Sequence, residues 1–446
     1  MTAPRPITLA AVGSNFEREP LVRPFGFKGG YMSEIWQSVA MLQSESGQRG
    51  IGLCSQGVLW SDAQVFAGHS ESGGNALMYA VTEWALQRLR GRTFTDPVEL
   101  LESVRHEVYD HAKRITAHPG LRETFALNAL VGVGSGLLFG IVLLWGATGT
   151  ASLTEIAISL TSLTTGVPPA VAVALALITT GSAFKIAAVP FHYWTPDAYQ
   201  GSPTPITGYL SVGPKIGAFV LLIKLFLIAL LPLAEVWIPV MVILAAATMT
   251  LGNLVALTQS NVKRMLAYSS IAHTGYLMVG IVAAGAGEAA GIAGVLFYAA
   301  AYAFMNLGAF AFLTALQGRP GATTQLSDLA GLGRKHPRMA ILATIFLLSL
   351  TGIPPTAGFF AKTYVILAAV QAGGPATILA VIAVLNAAIA AFYYLRVIVY
   401  LFMRDPAEPA VQVAEGPMLR AGLLIAAIGT VALGLAPTPI IEAVIQ

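Results

Sequence analysis

The stretch Phe184–Phe219, FKIAAVPFHYWTPDAYQGSPTPITGYLSVGPKIGAF, sets the fold class because it interrupts apolar sequence with prolines and two lysines. Lys185 precedes Pro190 by five residues, and Pro214 immediately precedes Lys215. A proline removes a backbone donor and leaves a carbonyl unpaired, so a helix that contains one tends to kink or break. Broken helices are tolerated at membrane depth where they line a hydrated cavity, as in transporters. The stretch therefore predicts discontinuous membrane helices.

The segment Thr351–Gly358, TGIPPTAG, repeats this pattern four residues before Lys362. A charged side chain near the bilayer centre costs about 2.5–3.5 kcal/mol, so such a residue usually has a partner or a purpose. Snorkelling to the membrane surface is the alternative explanation, and it suits Lys224 and Arg396. It suits Lys215 and Lys362 less well, because both lie several residues inside their apolar runs.

Charge is distributed unevenly along the 446 residues, with 25 Asp, Glu, Lys and Arg in the first 126 and 22 in the remaining 320. Soluble proteins carry about 25% charged residues. The composition predicts a mainly α protein, with a small soluble α+β domain over residues 1–126 and a polytopic membrane helix bundle over residues 127–446. A formal charge of +3 without a basic run argues against nucleic acid as a partner. The single cysteine, Cys54, excludes an intrachain disulfide.

Apolar runs after Arg122 are long enough to cross a lipid bilayer, which takes about 20 residues each. Nine spans are predicted, at 127–148, 168–190, 206–232, 236–257, 266–286, 289–316, 338–366, 375–402 and 419–440. Residues 150–167 are predicted to form a loop, and residues 191–205 a rigid proline-rich loop. The Lys and Arg residues of the loops all lie on one side, which places the N-terminal domain in the cytoplasm and the C-terminus outside. No signal peptide is predicted before the first charges.

Strand and helix patterns alternate within residues 1–126. Residues 51–60 form a β-like run, and residues 72–89 place Leu, Val and Ala four apart on one helix face. Asp96 and Pro97 then predict the cap and first turn of another helix. The acidic and histidine side chains of this part lack the spacing of metal ligands, so no metal site is predicted.

Proton transfer is the chemistry that the embedded lysines suggest. A lysine kept from water beside a broken helix can take up and release protons. Lys185, Lys215 and Lys362 on separate spans predict a relay along the bilayer midplane, with Lys224 and His273 as weaker members. A hydrogen-bonded packing role is the alternative for His273. Motifs for a nucleotide, a P-loop phosphate or a haem are missing from the sequence, so no bound cofactor is predicted.

Three runs carry a family resemblance: the opening stretch, ALTQSNVKRMLAYSSIAHTGYLMVG, and DLAGLGRKHPRMAILATIFLLSLTGIPPTAGFFAKTYVILAAV. Over about residues 130–446 the chain resembles the antiporter-like subunit N (subunit 2) of proton-pumping NADH-quinone oxidoreductase, respiratory complex I. Subunits L and M and the Mrp-type cation/proton antiporters share that fold. The spacing around Tyr268–His273 favours subunit N.

The resemblance implies a role for each lysine. Lys185 matches the lysine of the first broken helix, which exchanges its proton under control of a glutamate. Lys215 matches a bridging lysine, and Lys362 matches the terminal lysine near the periplasmic exit. Lys224 lies where the family usually has a basic residue.

The resemblance also implies an inner-membrane subunit of an enzyme, with the other membrane-arm subunits and the lipid bilayer as its partners. The chain itself would bind no cofactor. NADH, FMN, iron–sulfur clusters and quinone would belong to partner subunits.

The chain departs from this family in its first part. A complete subunit N has about fourteen spans, and the fifth carries the partner glutamate in a Met-Glu-Leu-Leu-Ser-Leu-Pro-like stretch, which this sequence lacks. Residues 1–126 instead resemble the N-terminal capping domain of enolase-superfamily enzymes, through runs such as SNFEREPLVRPFGFKGGYMSEIWQ and ITAHPGLRETFALNAL. No catalytic residue is carried over from that superfamily, because its active-site groups belong to a barrel that does not follow here. The chain is thus expected to be a fusion.

Four hypotheses remain open at this point. The leading one is a fused or truncated subunit N whose lysine relay is coupled to electron transfer in partner subunits. A second is a cation/proton antiporter that works without electron transfer. A third is a functional N-terminal domain with the spans as its anchor. The last is a non-functional fusion of two partial genes.

Overall fold

A computed structural model describes residues 6–27, 30–47, 49–56, 58, 62–95, 97–121, 135–162, 166–316, 325–406, 413 and 416–438. The chain forms two compact units, Met1–Phe139 and Gly140–Gln446. The boundary predicted between residues 126 and 127 lies outside the described residues. Each unit is considered by itself below.

The first unit is α+β, as predicted, and its described residues contain an antiparallel sheet and three helices. Its strands pair in the order β3-β2-β1-β4. The elements are β1 (Ile7–Phe27), β2 (Gly30–Ser44), β3 (Arg49–Gln56), α1 (Ala63–His69), α2 (Glu71–Leu89), β4 (Thr93–Phe94) and α3 (Pro97–Thr116). The predicted helix over residues 72–89 is confirmed as α2, which Ser70 caps by accepting from the Gly73 amide. The predicted cap residue Asp96 lies outside the described residues.

The core of this unit lies between α2 and α3. Both helices bury residues spaced three or four apart, which is the pattern of one helix face. The fully buried members are Met78, Val81 and Ala85 on α2 and Val104, Val108 and Ala112 on α3. Leu9 of β1 joins the same cluster, so the sheet and the helices share one core.

The second unit is helical. Its helices are α4 (Ser135–Thr148), α5 (Leu153–Thr161), α6 (Pro169–Ile186), α7 (Trp194–Gly201), α8 (Thr204–Lys224), α9 (Ala234–Thr258), α10 (Val262–Gly285), α11 (Ala290–Ala315), α12 (Leu332–Lys335), α13 (Pro337–Thr351), α14 (Ala357–Ala372), α15 (Gly374–Met403) and α16 (Pro417–Leu435). A π-helix at Leu225–Ala229 extends α8, and short 3₁₀ turns lie at Leu231–Leu233 and Leu326–Leu329.

Seven segments among the described residues are long and apolar enough to cross a membrane. The predicted span 338–366 is in fact two shorter apolar helices, α13 and α14. The predicted span 127–148 is described only from Ser135 onward, as α4. The bundle is therefore a polytopic membrane unit with discontinuous helices, as expected.

Two predicted loops are wrong. Residues 150–167 contain α5, which buries Ile156 and Leu160 and begins after Ser152, whose hydroxyl accepts from the Glu155 amide. Four-residue spacing of these two apolar residues makes one face of a helix despite the Thr and Ser around them. Residues 191–205 contain α7, an eight-residue helix that buries Thr195, Pro196 and Tyr199.

Both proline-rich segments break a helix. In the first, α6 ends at Ile186, Ala187 adopts a left-handed conformation with φ 61°, and α7 resumes at Trp194. In the second, α13 ends at Thr351, Gly352 has φ 91°, and α14 resumes at Ala357. A left-handed residue after the last turn is a common helix stop. The predicted interruptions are confirmed at both places.

Helix α10 is the centre of the bundle. Nearly all of its side chains are buried, and it packs against α7, α9, α11, α14 and α15. A Cβ added at Gly275 would lie 2.8 Å from the Met249 amide nitrogen and 3.0 Å from the Ala245 carbonyl oxygen of α9. Glycine at this position lets the two backbones approach closely, which is how small residues pack membrane helices.

Candidate functional site: a buried lysine–histidine cluster

Lys215 lies at the middle of α8, and its side chain is only 4% exposed. Its Nζ donates to the Ser270 carbonyl at 2.6 Å and to the Ser270 hydroxyl at 2.5 Å. Both acceptors belong to the central helix α10. The ammonium therefore links α8 to α10 inside the bundle.

Pro214 shapes the backbone next to this lysine. A helical proline has no N–H for the carbonyl four residues earlier, which here is Leu210. The Tyr199 hydroxyl of α7 donates to the Leu210 carbonyl at 3.4 Å. The Thr207 hydroxyl of α8 donates in turn to the Tyr199 carbonyl at 2.9 Å. The second half of the first broken helix is thus attached to α8 beside Lys215.

Lys362 lies in the second turn of α14 and is 5% exposed. Its Nζ donates to the carbonyls of Leu350 at 3.0 Å and Thr351 at 2.7 Å. These carbonyls end α13, where four carbonyls have no partner within the helix and the dipole is negative. The break between α13 and α14 thus provides acceptors for the ammonium.

His273 lies on α10 and is 2% exposed. Its Nδ1 is 2.7 Å from the Tyr298 hydroxyl, and its Nε2 is 3.2 Å from the Tyr394 hydroxyl. Tyr394 also hydrogen-bonds Ser269. A neutral imidazole has one donor and one acceptor nitrogen, so both nitrogens are satisfied. This geometry is compatible with both roles predicted for His273, packing and relay.

Two tyrosine rings connect His273 with the two buried lysines. The Tyr302 ring centroid is 5.0 Å from that of His273 and 5.7 Å from Lys215 Nζ. The Tyr276 ring centroid is 6.0 Å from that of His273 and 5.0 Å from Lys362 Nζ. The structure thus brings Lys215, His273 and Lys362 into one cluster, which we call the buried cluster.

Lys185 and Lys224 do not share this burial. Lys185 lies in the last turn of α6 and Lys224 ends α8, and both side chains are exposed. Within the described ranges, neither makes an ion pair or a hydrogen bond. Lys185 therefore lies outside the buried face of α6 that Ser182 and Ile186 form, and its membership of the relay stays a prediction. Snorkelling remains the simpler explanation for Lys224.

Lys263 falls in the loop between the predicted spans 236–257 and 266–286, but the structure shows it as a buried cation. It is 7% exposed, and its Nζ donates to the carbonyls of Ser202 at 2.6 Å and Gln200 at 3.3 Å. These carbonyls lie at the end of α7. Its neighbour Arg264 pairs with Asp197 at 2.6 Å nearer the surface. A lysine two residues after the helix-capping Asn261 was the available signal, because this position lies in the first turn of α10.

Buried amides join the helices around the cluster. Asn253 of α9 donates to the Asn386 amide oxygen of α15 at 3.1 Å and accepts from the Tyr393 hydroxyl at 2.9 Å. Asn306 of α11 donates to the Ser211 hydroxyl of α8 at 2.6 Å. These contacts fix the helices that carry the tyrosines.

The buried cluster contains side chains that can pass protons. Among the described residues it lacks the ligands of a metal site and a carboxylate partner for its lysines. Lysine, histidine, tyrosine and serine side chains are all proton donors or acceptors. In the described part of the chain, no group of three or more His, Cys, Asp or Glu could hold a metal. Within the same residues, no carboxylate pairs with Lys215 or Lys362. The charges of the cluster face backbone carbonyls and aromatic rings instead.

Comparison with known proteins gives one family. The family profile described as "NADH:quinone oxidoreductase/Mrp antiporter, TM" matches residues 123–389. NADH-quinone oxidoreductase subunit N 1 of Koribacter versatilis is 48% identical over 302 residues, which are 67% of this chain and 58% of that protein. NADH-quinone oxidoreductase subunit N 2 of Roseiflexus castenholzii is 47% identical over 324 residues, which are 71% of this chain and 64% of that protein. The chain thus spans less than two thirds of the length of these relatives.

Solved structures agree with the sequence matches. A chain of respiratory complex I from Thermus thermophilus with bound aureothin has a TM-score of 0.57 and 30% identity, covering 88% of this chain and 87% of that one. A chain of the Mrp complex from a Dietzia species has a TM-score of 0.61 and 25% identity, covering 70% of this chain and 64% of that one.

Proposed function

Because the chain belongs to the NADH:quinone oxidoreductase/Mrp antiporter transmembrane family, we propose that it acts as a proton-translocating membrane subunit of an NADH-quinone oxidoreductase of the subunit N type. The buried cluster would carry protons through the bundle. Electron transfer would take place in partner subunits. The chain would then be part of an enzyme without having a redox site of its own.

The burial of two ammonium groups beside one imidazole is the observation that carries this proposal. Lys215 and Lys362 are each held by neutral acceptors, and His273 lies between them through two tyrosine rings. Burying a charge without a counter-ion is costly. A function that requires the charge explains why the protein buries both Lys215 and Lys362 despite the free-energy cost.

Partners, cofactors and orientation complete the proposal. The other membrane-arm subunits would bind this chain, and NADH, FMN, iron–sulfur clusters and quinone would be held outside it. The positive-inside distribution supports an inner-membrane protein with its N-terminal unit in the cytoplasm and its C-terminus outside. A reporter that works only in the cytoplasm should be inactive when it is fused after Gln446. Activity of this fusion would contradict the proposed orientation.

Residues 1–126 are proposed to be a domain of the enolase-superfamily capping type, fused to the membrane unit. The antiparallel strands followed by the α2–α3 pair support this. Lys185 is proposed as a further member of the relay, because it matches the lysine of the first broken helix in the family.

A cation/proton antiporter is the second candidate function, which the likeness to the Mrp complex favours. The two candidates predict different partners. Purification of the full chain from native membranes should recover redox subunits if it belongs to an NADH-quinone oxidoreductase. Recovery of the chain with other membrane subunits but without redox subunits would favour the antiporter.

The relay is tested by Lys362→Ala in the assembled complex. Removing this ammonium should reduce proton translocation at least about tenfold, a rise of ~1.4 kcal/mol or more in the barrier, while NADH oxidation with an artificial acceptor is spared. Lys335→Ala is the matched control, because it removes an exposed lysine of the same unit that is not part of the predicted relay, and it should leave both activities unchanged. Normal pumping by Lys362→Ala would reject the relay role.

A further inference from the structure

The charges of Lys215 and Lys362 are incompletely balanced by hydrogen bonds. An ammonium carries three N–H donors. Lys215 donates to the carbonyl and hydroxyl of Ser270, and Lys362 donates to two carbonyls. Neither lysine has an ion pair among the residues that the structure describes. Another favourable interaction is needed to keep a proton on each of them in an apolar interior.

An aromatic ring supplies that interaction for each lysine. The Nζ of Lys362 lies 5.0 Å from the Tyr276 ring centroid, and that of Lys215 lies 5.7 Å from the Tyr302 centroid. Cations within about 6 Å of a ring centroid are attracted to the negative face of the ring, most strongly when both groups are desolvated. Both rings are 1% exposed, so the desolvated case applies.

Tyr276 and Tyr302 do not contact the lysines through their hydroxyls. Neither Tyr276 Oη nor Tyr302 Oη has a hydrogen-bond partner among the described residues. The hydroxyls of Tyr298 and Tyr394, in contrast, both hydrogen-bond His273. The four tyrosines around His273 therefore divide into two that act through their hydroxyls and two that face a lysine with their rings.

We propose that Tyr276 and Tyr302 are positioning residues whose ring faces stabilise the protonated forms of Lys362 and Lys215, in the place of carboxylates, on either side of His273. The inference rests on the proposed relay function. A ring attracts a cation more weakly than a carboxylate does, so each lysine can hold a proton and still release it. Ring faces thus suit a lysine that must change its charge during each cycle.

The test replaces each tyrosine by phenylalanine and then by phenylalanines with one to five ring fluorines, in the assembled complex. Fluorine withdraws electron density from the ring face while changing its size little. Phenylalanine should keep proton translocation within about twofold of wild type. Translocation should then fall with each fluorine, reaching a loss of about tenfold for the fully fluorinated ring and for Tyr276→Leu or Tyr302→Leu.

Phe297 is the control for fluorination, because it is buried and its ring contacts Tyr364 without a cation among the described residues. Fluorination of Phe297 should leave translocation unchanged. A flat fluorine series at positions 276 and 302 would overturn the inference. An equal loss in the phenylalanine and leucine variants would do the same, because it would assign the effect to the hydroxyl.

Failure of the relay itself is recognised separately. Lys215→Ala and Lys362→Ala are measured in the same assembled complex. If both pump normally, the proposed function is wrong, whatever the fluorine series gives. If both lose translocation and the fluorine series is flat, only the role of the rings is refuted.

Discussion

Lys362, Lys263 and Arg396 are held in a common way, although they lie on three different helices. Lys362 donates to the carbonyls that end α13, and Lys263 to those that end α7. Arg396 donates to the carbonyls of Leu257 and Gln259, at the end of α9. The last carbonyls of a helix lack internal partners and carry the negative end of its dipole. A cation at this position gains backbone acceptors without a carboxylate in the bilayer.

The amide pair Asn253–Asn386 gives a prediction at the residue scale. Replacing either residue by leucine leaves buried polar atoms of the other without a partner, which should cost about 1–3 kcal/mol of stability. Replacing both removes the unpaired amide atoms, although the Tyr393 hydroxyl still loses its acceptor on Asn253, so the double variant should lose less than the sum of the single variants. Thermal unfolding of the detergent-solubilised chain measures all four proteins. Strict additivity would show that the amides do not stabilise each other.

The broken helices are held by side chains of neighbouring helices at the first break and by a side chain of the broken helix itself at the second. At the first break, the Thr274 hydroxyl of α10 donates to the Ile186 carbonyl at 2.9 Å, and the Val189 amide donates to the Thr248 hydroxyl of α9 at 3.0 Å. At the second break, the Gly358 amide donates to the Ser349 hydroxyl at 3.1 Å. Backbone groups freed by a break must be satisfied inside a membrane, and here these side chains do so.

Lys263 gives the first prediction at this scale. In Lys263→Met the buried carbonyls of Gln200 and Ser202 lose their donor, so α7 should be held less firmly and the amides of residues 194–201 should exchange hydrogen faster. Arg264→Gln is the matched control on the next residue. It removes a pair whose Asp197 partner is 64% exposed, and such surface pairs contribute at most about 1 kcal/mol. Equal exchange in both variants would contradict a special role for Lys263.

Gly434 gives the second prediction at the scale of the helices. A Cβ at this residue of α16 would lie 2.0 Å from the Pro355 carbonyl oxygen, so Gly434→Ala should displace the second break and cost about 1–3 kcal/mol. A Cβ at Gly422, on the same helix, meets nothing within 4 Å. Gly422→Ala should therefore be neutral or slightly stabilising. Thermal unfolding in detergent compares the two, and an undisturbed Gly434→Ala protein would show that the break can shift without cost.

At the scale of the whole molecule, the two units differ in composition and are stabilised by different interactions. The first unit has a hydrophobic core that its sheet and helices share. Titratable side chains on its surface make its stability depend on pH. The second buries charges at helix ends and breaks. Conditions that affect one unit need not affect the other.

His111 gives a prediction for the first unit. It stacks on Trp84 with ring centroids 4.3 Å apart. Burial lowers the pKa of His111 below its ordinary value of 6.5, and the charges of Arg114 and Arg88 lower it further. The unfolded chain then binds the proton more readily, so the stability contribution is complete above about pH 6.5 and declines as the pH falls below it.

The measurement is hydrogen exchange across α2 and α3 in the full chain at about pH 5 and pH 7.5, corrected for the intrinsic effect of pH on exchange. Protection should be lower at the acid pH. His111→Phe keeps an aromatic stack and removes the titrating group, so it should lose this part of the pH dependence. An unchanged pH dependence in His111→Phe would assign it to other residues.

The sequence alone determined the class of the protein. Charge density separated a soluble part from a membrane part, and proline beside lysine located both breaks, because these are local properties of the chain. Long apolar runs likewise located the major spans. The sequence also identified Lys215, Lys362 and His273 as candidate members of the relay, because a titratable residue in an apolar run is unusual wherever it occurs.

Only the tertiary structure decided which polar residues meet. Lys185 and Lys362 look alike in sequence, yet Lys185 is exposed and Lys362 is buried against the end of α13. Lys263 looked like a loop charge and lies buried against α7. The face of a helix that packs inward depends on its neighbours, and the acceptors of a buried ammonium are backbone carbonyls that every sequence contains. Residue types therefore predict that a charge needs a partner, and packing decides which partner it has.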